Sequence, residues 1–520
     1  MYRPAPQAEI QMLPPALSDL IPEKDICSVI SAFVDALPRA AVEDKFPHTV
    51  GAPPLHPRLM LKVLLHAYAQ GLRSSRKIAR ACLFDITFRW LSCGQQPSHN
   101  TVNRFRSEYL RDALPSTLAA MAEMLIEQKY IGAQEYFVDG TIIDADANKH
   151  SHVWRKNIAR YKQRIQERAR EILAEAAAVD AEEDAQRGGR DLPASGDGAS
   201  IAAVDIRAAA KKWSDSDDAR REKASKALEK EAEKMEKYEA QEATLGERNS
   251  YSKTDEDATF MRTKDDLLRP AYNVQAGVQD DFVTGVSVSQ NANDGTAFLP
   301  HLEARRETGL PDPPRIVADS IYGTEENYAH LEQAGIDSYL QYPSWHREQT
   351  GQLRPYEKAA FAFDSERDQF VCSQGKALVF IEEQNQTTKS GYKKVLRIYE
   401  CQDCSACPVK SDCAKGAGNR RIQHSLELAR HQSETRARLL TPEGAALRKK
   451  RGWQIETVWA HLKRNLNFRR FSLRGLGKAT VEMYWLSLSH NLTLLAKRAA
   501  TASHTGGGGP SGQLGWGQTG

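Results

Sequence analysis

The run Tyr-Phe-Val-Asp-Gly-Thr-Ile-Ile occupies residues 136–143 and marks a change of pattern in the chain. The residues before it, 1–130, carry the apolar spacing of helices. From about residue 272 onward, strand and helix patterns alternate, and a strand hairpin turns at Asp280-Asp281. Such alternation is typical of a sheet layered with helices, whereas a sandwich is built from strands alone. The sequence therefore predicts an α/β fold around residues 136–143.

Two aspartates and one glutamate stand out by their placement. Asp139 ends the first predicted strand, and Asp319 ends the strand predicted at 315–318. Residues at the carboxyl ends of neighbouring strands face one crevice, where open α/β sheets bind ligands. Glu456 lies at the edge of an apolar helix face, and Lys463 follows two turns later, nearly in line with it. A carboxylate and a lysine on one helix edge can hold a metal ion and a phosphate side by side.

Three carboxylates in one place suit two-metal phosphodiester chemistry. Two Mg²⁺ ions about 4 Å apart activate the attacking oxygen and stabilise the leaving oxygen. Hard cations of this kind prefer carboxylate oxygens. Each acid also has a structural interpretation, because Asp139 can belong to a turn, Asp319 to a helix entry and Glu456 to a solvated ion pair. Spacing alone leaves both interpretations open.

Several separate blocks of the sequence resemble the DDE transposases of bacterial insertion sequences, and they occur in the order of that family. These blocks are Val138–Thr141 with Asn148, Tyr272–Gln275, Ala318–Gly323, Ile455–Lys463 and Asn467–Phe471 continuing to Arg474-Gly475. Residues 46–109 are similar to the helical domain that precedes the catalytic domain in that family. The resemblance covers roughly residues 45–498, and its specificity comes from the order of the blocks.

The resemblance implies an RNase H-like core that cuts and joins the ends of a mobile element. Carried over residue by residue, Asp139, Asp319 and Glu456 correspond to the catalytic triad. Two Mg²⁺ or Mn²⁺ ions are then the expected catalytic cofactors, held by these three carboxylates. Lys463 corresponds to the basic residue that contacts DNA phosphate near the active site.

One position departs from the family pattern. Many relatives have a tyrosine and an arginine seven and four residues before the glutamate, where this chain has Lys449 and Gly452. Arg451 is the candidate substitute for that arginine.

The predicted fold class is α/β, an RNase H-like mixed sheet with flanking helices, a helical N-terminal domain, a long charged helical insertion and a cysteine-rich insertion. The predicted division is 1–130, a helical N-terminal domain that binds DNA; 131–152, the first part of the core; 153–255, the charged helical insertion; 256–344, the core strands with the second aspartate; 345–425, the cysteine-rich insertion; 426–499, the glutamate helix and basic region; and 500–520, a disordered tail.

The distribution of charge points to a polyanionic partner. The net charge of the 520 residues is only +3, but residues 420–498 contain 17 Lys and Arg against five Asp and Glu. Such a basic block is typical of nucleic-acid binding, although a solvated surface is the alternative. The expected partner is double-stranded DNA, at the element ends and the target, bound by a homodimer. The expected phosphate contacts are Lys463, Arg451, Arg464, Arg469 and Arg470.

A second DNA-binding feature is predicted near the N-terminus. Ser98 is a candidate N-cap for a helix that carries Asn100, Asn103, Arg104 and Arg106. The spacing fits a helix-turn-helix whose last helix faces DNA. A small helical bundle without DNA contacts has the same pattern.

The cysteines predict a second metal site. Cys401, Cys404, Cys407 and Cys413 lie within 13 residues, with spacings typical of zinc knuckles. Cys372 is a fifth candidate, able to replace one of the four. We expect one structural Zn²⁺ with the four sulfurs within about 4 Å of one another; an iron–sulfur cluster and metal-free thiols are the alternatives.

The composition argues against a membrane protein. No stretch approaches the ~18 apolar residues of a membrane helix, and the first residues lack the pattern of a signal peptide. We therefore expect a cytoplasmic protein. Two rivals to a transposase remain: an RNase H-like metal-dependent nuclease without strand transfer, and a catalytically silent DNA-binding derivative.

Overall fold

The structure is a computed structural model that describes residues 16–22, 24–45, 55–187, 201–212, 214, 219–263 and 265–504. The α-helices are α1 (Ile26–Ala36), α2 (Pro57–Ala69), α3 (Ser75–Phe84), α4 (Ile86–Leu91), α5 (His99–Arg104), α6 (Ala113–Glu127), α7 (Arg155–Arg187), α8 (Ala203–Lys212), α9 (Ala219–Leu245), α10 (Asp294–Arg306), α11 (Glu325–Gln333), α12 (Trp345–Gln349), α13 (Lys410–Cys413), α14 (Leu426–Leu440), α15 (Pro442–Ala460) and α16 (Leu476–His504). The strands are β1 (Glu135–Asp144), β2 (His152–Trp154), β3 (Ser250–Ser252), β4 (Thr259–Arg262), β5 (Leu268–Gln279), β6 (Phe282–Ser289), β7 (Arg315–Ala318), β8 (Asp337–Leu340), β9 (Ala362–Asp364), β10 (Gln369–Val371), β11 (Ala377–Thr387), β12 (Lys393–Cys401) and β13 (Arg421–His424).

The central sheet is mixed, with the strand order β4-β5-β1-β7-β8 and with β6 paired to β5. Strands β1, β7 and β8 run parallel, whereas β5 is antiparallel to β1, β4 and β6. The β5–β6 hairpin turns at Asp280 and Asp281, which both have positive φ angles, as the sequence predicted. The α/β class with an RNase H-like mixed sheet and a helical N-terminal region is confirmed.

The two faces of the central sheet bury different cores because side chains alternate along a strand. On one face, Tyr136 and Val138 of β1 pack with Phe298 of α10 and Ile316 of β7. On the other face, Phe137 belongs to the largest hydrophobic cluster of the described chain. Asp139 is the next residue along β1 on this second face.

The largest cluster joins the N-terminal helices to the C-terminal helices. Leu65 of α2, Phe137 of β1, Val458 of α15 and Trp485 of α16 all belong to it. Ser489 Oγ of α16 donates a hydrogen bond to the Leu65 carbonyl at 3.0 Å. The N-terminal helices therefore share one core with the catalytic region, and the predicted boundary at residue 130 crosses a continuous hydrophobic cluster.

The Lys-, Glu-, Ala- and Arg-rich composition of residues 153–250 predicts two long charged helices with a flexible break at 187–200, but the described residues of this segment form three helices. Helices α7 and α9 are antiparallel, and Lys162 pairs with Glu242 at 2.7 Å between them. The additional helix, α8, buries Ile206 and Ala210 against this pair, which explains why a short segment beside a charged hairpin is helical. Residues 188–200 of the predicted break lie outside the described residues.

The cysteine-rich segment contains an antiparallel sheet in the order β13-β12-β11-β10-β9. Farther along, α16 continues to His504, so residues 500–504 of the predicted disordered tail are helical. Alanine is the best helix former, and Ala499, Ala500 and Ala502 extend the helix there. The rest of that tail lies outside the described residues. Within those residues, no helix is long and apolar enough to span a membrane.

Candidate active site

Asp139 and Asp319 lie side by side on adjacent parallel strands. Phe137 of β1 is paired with Val317 of β7. Continuing this register by two residues brings Asp139 opposite Asp319, on the same face of the sheet. The Asp319 carboxylate also accepts a hydrogen bond from the Ile321 N–H at 3.0 Å, which fixes the turn after β7. Asp319 follows the end of β7 as predicted, but the prediction that Asp139 ends its strand is wrong, because β1 continues to Asp144 through its pairing with β5.

The surroundings of Asp139 are strongly anionic. Burial raises the pKa of Asp139 to about 6; Arg451 opposes this shift, while the charges of Asp319 and Asp294 add to it. The Arg451 Nη1 atom lies 3.9 Å from Asp139 Oδ1. A partly buried carboxylate with two acidic neighbours is a site that a cation stabilises. This observation fits the hard divalent ion expected at the strand ends.

Helix α15 carries the third acid and crosses the sheet beside β1. Near the start of β1, Lys450 Nζ lies 3.3 Å from Glu135 Oε2. Farther along, in the π-helical turn His461–Asn465 that extends α15, Lys463 Nζ donates a hydrogen bond to Thr141 Oγ1. Glu456 lies between these two anchors and is exposed. Helix packing therefore holds Glu456 on the element that borders Asp139.

The three carboxylates do not form a closed ligand cage. Among the described residues, one group of His, Cys, Asp or Glu has at least three ligand atoms within 4.8 Å of one another, and it consists of Glu332, His431 and Glu434. Arg430 lies within 2.9 Å of both glutamates, so an ion-pair network accounts for that group. The ligand atoms of Asp139, Asp319 and Glu456 do not all lie within this distance of one another.

Asp294 is a fourth acid beside the site, and the sequence analysis did not predict it. The side-chain amides of Asn273 and Gln275 on β5 donate to Asp294 Oδ1 at 2.7 and 2.9 Å. The Tyr322 hydroxyl donates to Gln275 Oε1 at 2.6 Å, which completes a buried network. A Cβ atom at Gly140 would clash with both the Asp294 carboxylate and the Gln275 amide.

The residues of this network can be recognised in the sequence, but the contacts between them depend on the fold. Asn273 and Gln275 alternate on one strand, and Asn293 is a good N-cap residue that leaves Asp294 in the first turn of α10. Helix α10 accordingly begins at Asp294. Only the fold brings β5 and α10 to Gly140.

Two family models match the chain. One is described as a transposase DDE domain and matches residues 371–496, which include Glu456 and Lys463. The other is described as a transposase domain (DUF772) and matches residues 15–108, which include most of the N-terminal helices. These two matches indicate a DDE transposase of an insertion sequence. No curated protein matches it.

The basic residues of the transposase divide into paired and unpaired groups. Arg451 faces Asp139, and Arg470 pairs with Asp146 at 3.1 Å while donating to backbone carbonyls. Arg464 and Arg469 are exposed and have no ion pair with an acidic residue of the described ranges. These two side chains are therefore the most available for phosphate among those predicted.

The predicted recognition helix of the transposase is only partly exposed. Ser98 caps α5 by accepting from the Thr101 N–H at 3.1 Å, and Asn100 and Arg104 are exposed. Arg106 is buried, because it lies in the π-helical turn after α5, and its guanidinium hydrogen-bonds to the Arg73 carbonyl and to Asn103. Arg106 is therefore a structural residue and not one that faces DNA.

The five cysteines of the transposase near β10–β13 surround one small cavity. Cys372, Cys401, Cys404, Cys407 and Cys413 line it. Among the described residues, however, no three of these sulfurs lie within 4.8 Å of one another, so the predicted spacing of about 4 Å is wrong for this structure. Burial raises the pKa of the Cys401 thiol to about 11, so this thiol is protonated at neutral pH.

Proposed function

We propose that this transposase cleaves and joins DNA at the ends of its insertion sequence by metal-dependent phosphodiester transfer, with Asp139, Asp319 and Glu456 as the triad. One observation carries the proposal: two carboxylates lie opposite each other on the adjacent parallel strands β1 and β7, beside the helix that holds the third. The raised pKa of Asp139, about 6, supports it, because such an anionic pocket favours a bound cation.

In this proposal the three carboxylates hold Mg²⁺ or Mn²⁺, which supply charge stabilisation for the attacking and leaving oxygens. In this proposal the basic residues around the triad orient the DNA phosphate and neutralise negative charge. Arg451 offsets the charge of Asp139 in the absence of substrate, and its position at 3.9 Å fits the role of the family arginine that Gly452 replaces. Lys463, on the same helix as Glu456, offers its ammonium group to a phosphate beside Thr141.

The DNA path that we propose follows an open cleft beside the end of β1. This cleft has a volume of about 800 Å³ and is lined by Lys149, His150, Arg269, Arg470 and Arg474 among others. Basic side chains along a groove bind phosphate without reading sequence. The exposed Arg464 and Arg469 extend the basic surface, and the expected substrate is double-stranded DNA at the element ends and target, bound by a homodimer in the cytoplasm.

We further propose that the cysteine group holds one structural Zn²⁺, separate from the catalytic ions. Thiolates are soft ligands that suit zinc, whereas the triad is hard and suits magnesium or manganese. The volume of the cysteine-lined cavity, about 20 Å³, admits a single ion or water.

A cleavage assay on DNA that carries the flanking terminal repeats tests the proposal. The wild type with Mg²⁺ should release the element end and produce joined target DNA. Glu456→Gln should bind the same DNA but yield neither product. Cleavage without joined product would identify a nuclease, and binding by the wild type without cleavage would identify a silent derivative; either result overturns the proposal.

A further inference from the structure

The hydrogen-bonded pairing between β1 and β7 stops before the two strand aspartates. The last pair that joins these strands is Phe137 with Val317. Asp139 and Asp319 each follow two residues later. On its other side, β1 stays paired with β5 as far as Asp144. Strand pairing therefore holds Asp139 firmly to β5, but it does not by itself fix the separation of the two aspartates.

Tyr322 supplies a second link between the end of β7 and β5. Its hydroxyl donates a hydrogen bond to Gln275 Oε1 at 2.6 Å, and both side chains are fully buried. Gln275 is paired with Gly140, the residue of β1 that follows Asp139. Because β1 lies between β5 and β7 in the sheet, this hydrogen bond passes across one face of β1.

The absence of a side chain at Gly140 leaves the space for this link. A Cβ atom there would overlap the Gln275 amide and the Asp294 carboxylate. Side chains alternate along a strand, so Gly140 and Asp139 present opposite faces of β1. The network therefore lies directly behind Asp139 and against the bare backbone of β1.

The donors and acceptors of this network fit one arrangement. Gln275 Oε1 accepts from the Tyr322 hydroxyl, and Gln275 Nε2 donates to Asp294 Oδ1 at 2.9 Å. Asn273 Nδ2 donates to the same carboxylate oxygen at 2.7 Å. A charged acceptor strengthens both of these amide hydrogen bonds. A buried network of this kind rigidifies the elements that it joins, which are here β5, the start of α10 and the segment after β7.

Tyr322 is coupled to Asp319 through a single short turn. The 3₁₀ turn Ser320–Tyr322 follows Asp319 directly, and the Tyr322 N–H donates to the Asp319 carbonyl at 3.3 Å. From the other side, Asn327 Nδ2 donates to the Tyr322 carbonyl at 2.9 Å and to the Gly295 carbonyl of α10 at 3.0 Å. A shift of the Tyr322 side chain would therefore move the backbone that carries Asp319.

We infer that the hydrogen bond from Tyr322 to Gln275, with Asp294 orienting the amide, sets the separation of the two strand aspartates. This inference rests on the proposed function, because it concerns the spacing of the carboxylates that hold the catalytic ions. Tyr322 and Gln275 are fully buried, so they act through the aspartates and not on DNA. Mg²⁺ demands a nearly ideal octahedral set of ligands. A small change in the separation of two ligands therefore weakens its binding and slows the reaction.

Removal of the Tyr322 hydroxyl tests the inference, and Tyr136→Phe is the matched control. Both tyrosines are fully buried in the same hydrophobic cluster, but the Tyr136 hydroxyl hydrogen-bonds to His301 of α10 and not to β5. Full-length wild type, Tyr322→Phe and Tyr136→Phe are compared in single-turnover cleavage of terminal-repeat DNA over a range of Mg²⁺ concentrations. DNA affinity is measured by titration, and urea denaturation measures the stability of each protein.

Tyr322→Phe should cleave saturating DNA about ten-fold or more slowly, because a small misplacement of reacting groups is costly. It should also need a several-fold higher Mg²⁺ concentration for the half-maximal rate, while its DNA affinity stays unchanged. Mn²⁺, which is larger and accepts less regular coordination, should reduce the loss. Tyr136→Phe should match the wild type in rate and in metal dependence, although each variant loses one buried hydrogen bond and is less stable.

The remaining outcomes separate the inference from the function on which it rests. Equal effects of the two variants, or a wild-type rate and Mg²⁺ dependence in Tyr322→Phe, would overturn the inference, because the network would then only support the fold. A wild type that binds DNA without cleaving it would overturn the proposed function and the inference with it. If Tyr322→Phe does not fold, the double variant Tyr322→Phe/Gln275→Met decides by the same measurements, since it removes both partners of the hydrogen bond.

Discussion

The central sheet and the cysteine-rich sheet both gather ligand-type side chains, but they do so by different routes. In the central sheet, Asp139 and Asp319 are 180 residues apart in the chain and meet because β1 and β7 are adjacent and parallel. In the cysteine-rich region, Cys404, Cys407 and Cys413 are close in sequence and meet through local turns. Where strand register forms a site, the whole fold fixes the positions of its side chains. Where local turns form a site, the positions of the side chains can still shift.

The largest expected effect follows from removing a carboxylate charge at the site that the register of β1 and β7 forms. Asp139→Asn and Asp319→Asn keep the side-chain shape but remove a ligand charge, so DNA cleavage should fall by at least about a thousand-fold. DNA affinity should change little, as a binding assay would show. Asp312→Asn, which breaks a surface ion pair with Arg306, is the matched control and should cleave normally. Full cleavage by either strand-end variant would contradict the assignment of the triad.

Metal removal should affect the stability of the two sheets differently. A thiol-competing zinc chelator should destabilise β9–β13 by about 3 kcal/mol or more, because a structural zinc contributes its binding energy to folding. Hydrogen exchange should then show loss of protection in residues 362–424 while β1 and β5 keep theirs. Zn²⁺ should restore the protection and Mg²⁺ should not. Equal loss in both sheets would mean that the two sites are not independent.

Gly140→Ala should disturb the Asp294 network beside the triad. Its Cβ atom meets the Asp294 carboxylate and the Gln275 amide, so unfolding free energy should fall by about 1–3 kcal/mol. Gly452→Ala is the matched control, because open space surrounds that position on α15. There the helix propensity of alanine should raise stability by up to about 1 kcal/mol. Urea denaturation of both variants measures the difference, and equal effects would refute the close contact.

A buried histidine of α10, which packs on the central sheet, and another in the cysteine-rich sheet should make both regions sensitive to acid. Burial lowers the pKa of His301 to about 3 and that of His424 to about 4, below the ordinary value near 6.5. Each neutral ring therefore contributes stability that is complete above about pH 6.5. This contribution is lost as the pH falls through the lowered pKa, because the folded state then has to bury a charge. Thermal unfolding between pH 7.5 and pH 4 measures the loss.

The same two histidines differ in their partners, which gives a matched pair of variants. His301 hydrogen-bonds to the Tyr136 hydroxyl at 2.8 Å, whereas neither ring nitrogen of His424 has a hydrogen-bond partner. His301→Leu should therefore cost about 1–3 kcal/mol of unfolding free energy, since the tyrosine loses its partner. His424→Leu should leave stability unchanged or higher. The reverse order would show that ring packing outweighs hydrogen bonding.

The smallest expected effect concerns the DNA surface. Arg469→Gln should flatten the dependence of log affinity on log salt concentration by about one unit, because one phosphate contact releases its counterion. Arg421→Gln in the cysteine-rich sheet, where the arginine pairs with Glu400, should leave the slope unchanged. Binding isotherms at several salt concentrations measure both. An unchanged slope for Arg469→Gln would show that this side chain only faces solvent.

Local patterns were enough to predict the strands, the hairpin and the two neighbouring aspartates, but not that β1 continues past Asp139 to Asp144. The turn at Asp280-Asp281 and the cap at Thr324, which accepts from the Asn327 N–H at 3.3 Å, depend on neighbouring residues alone. Asp139 and Asp319 were predicted to meet because parallel strands end at one edge of a sheet.

Features that depend on packing between distant elements could not be predicted. Asp294 reaches the site only because β5 and α10 both approach Gly140, and no spacing in the sequence records that approach. Arg106 has the helical position of a DNA contact, yet a π-helical turn directs it into the core. Helix α8 is short and polar, and it is stabilised by burying Ile206 against α7 and α9.

The shared core of the N-terminal and C-terminal helices has a consequence for synthesis of the protein. The Leu65 carbonyl receives its hydrogen bond from Ser489, which is 424 residues later in the chain. At about 5–20 residues per second, a ribosome needs roughly 20–80 seconds to make that interval. During this time the apolar face of α2 lacks its partner α16 and is available to chaperones. Folding of the N-terminal helices therefore waits for the last part of the message to be translated.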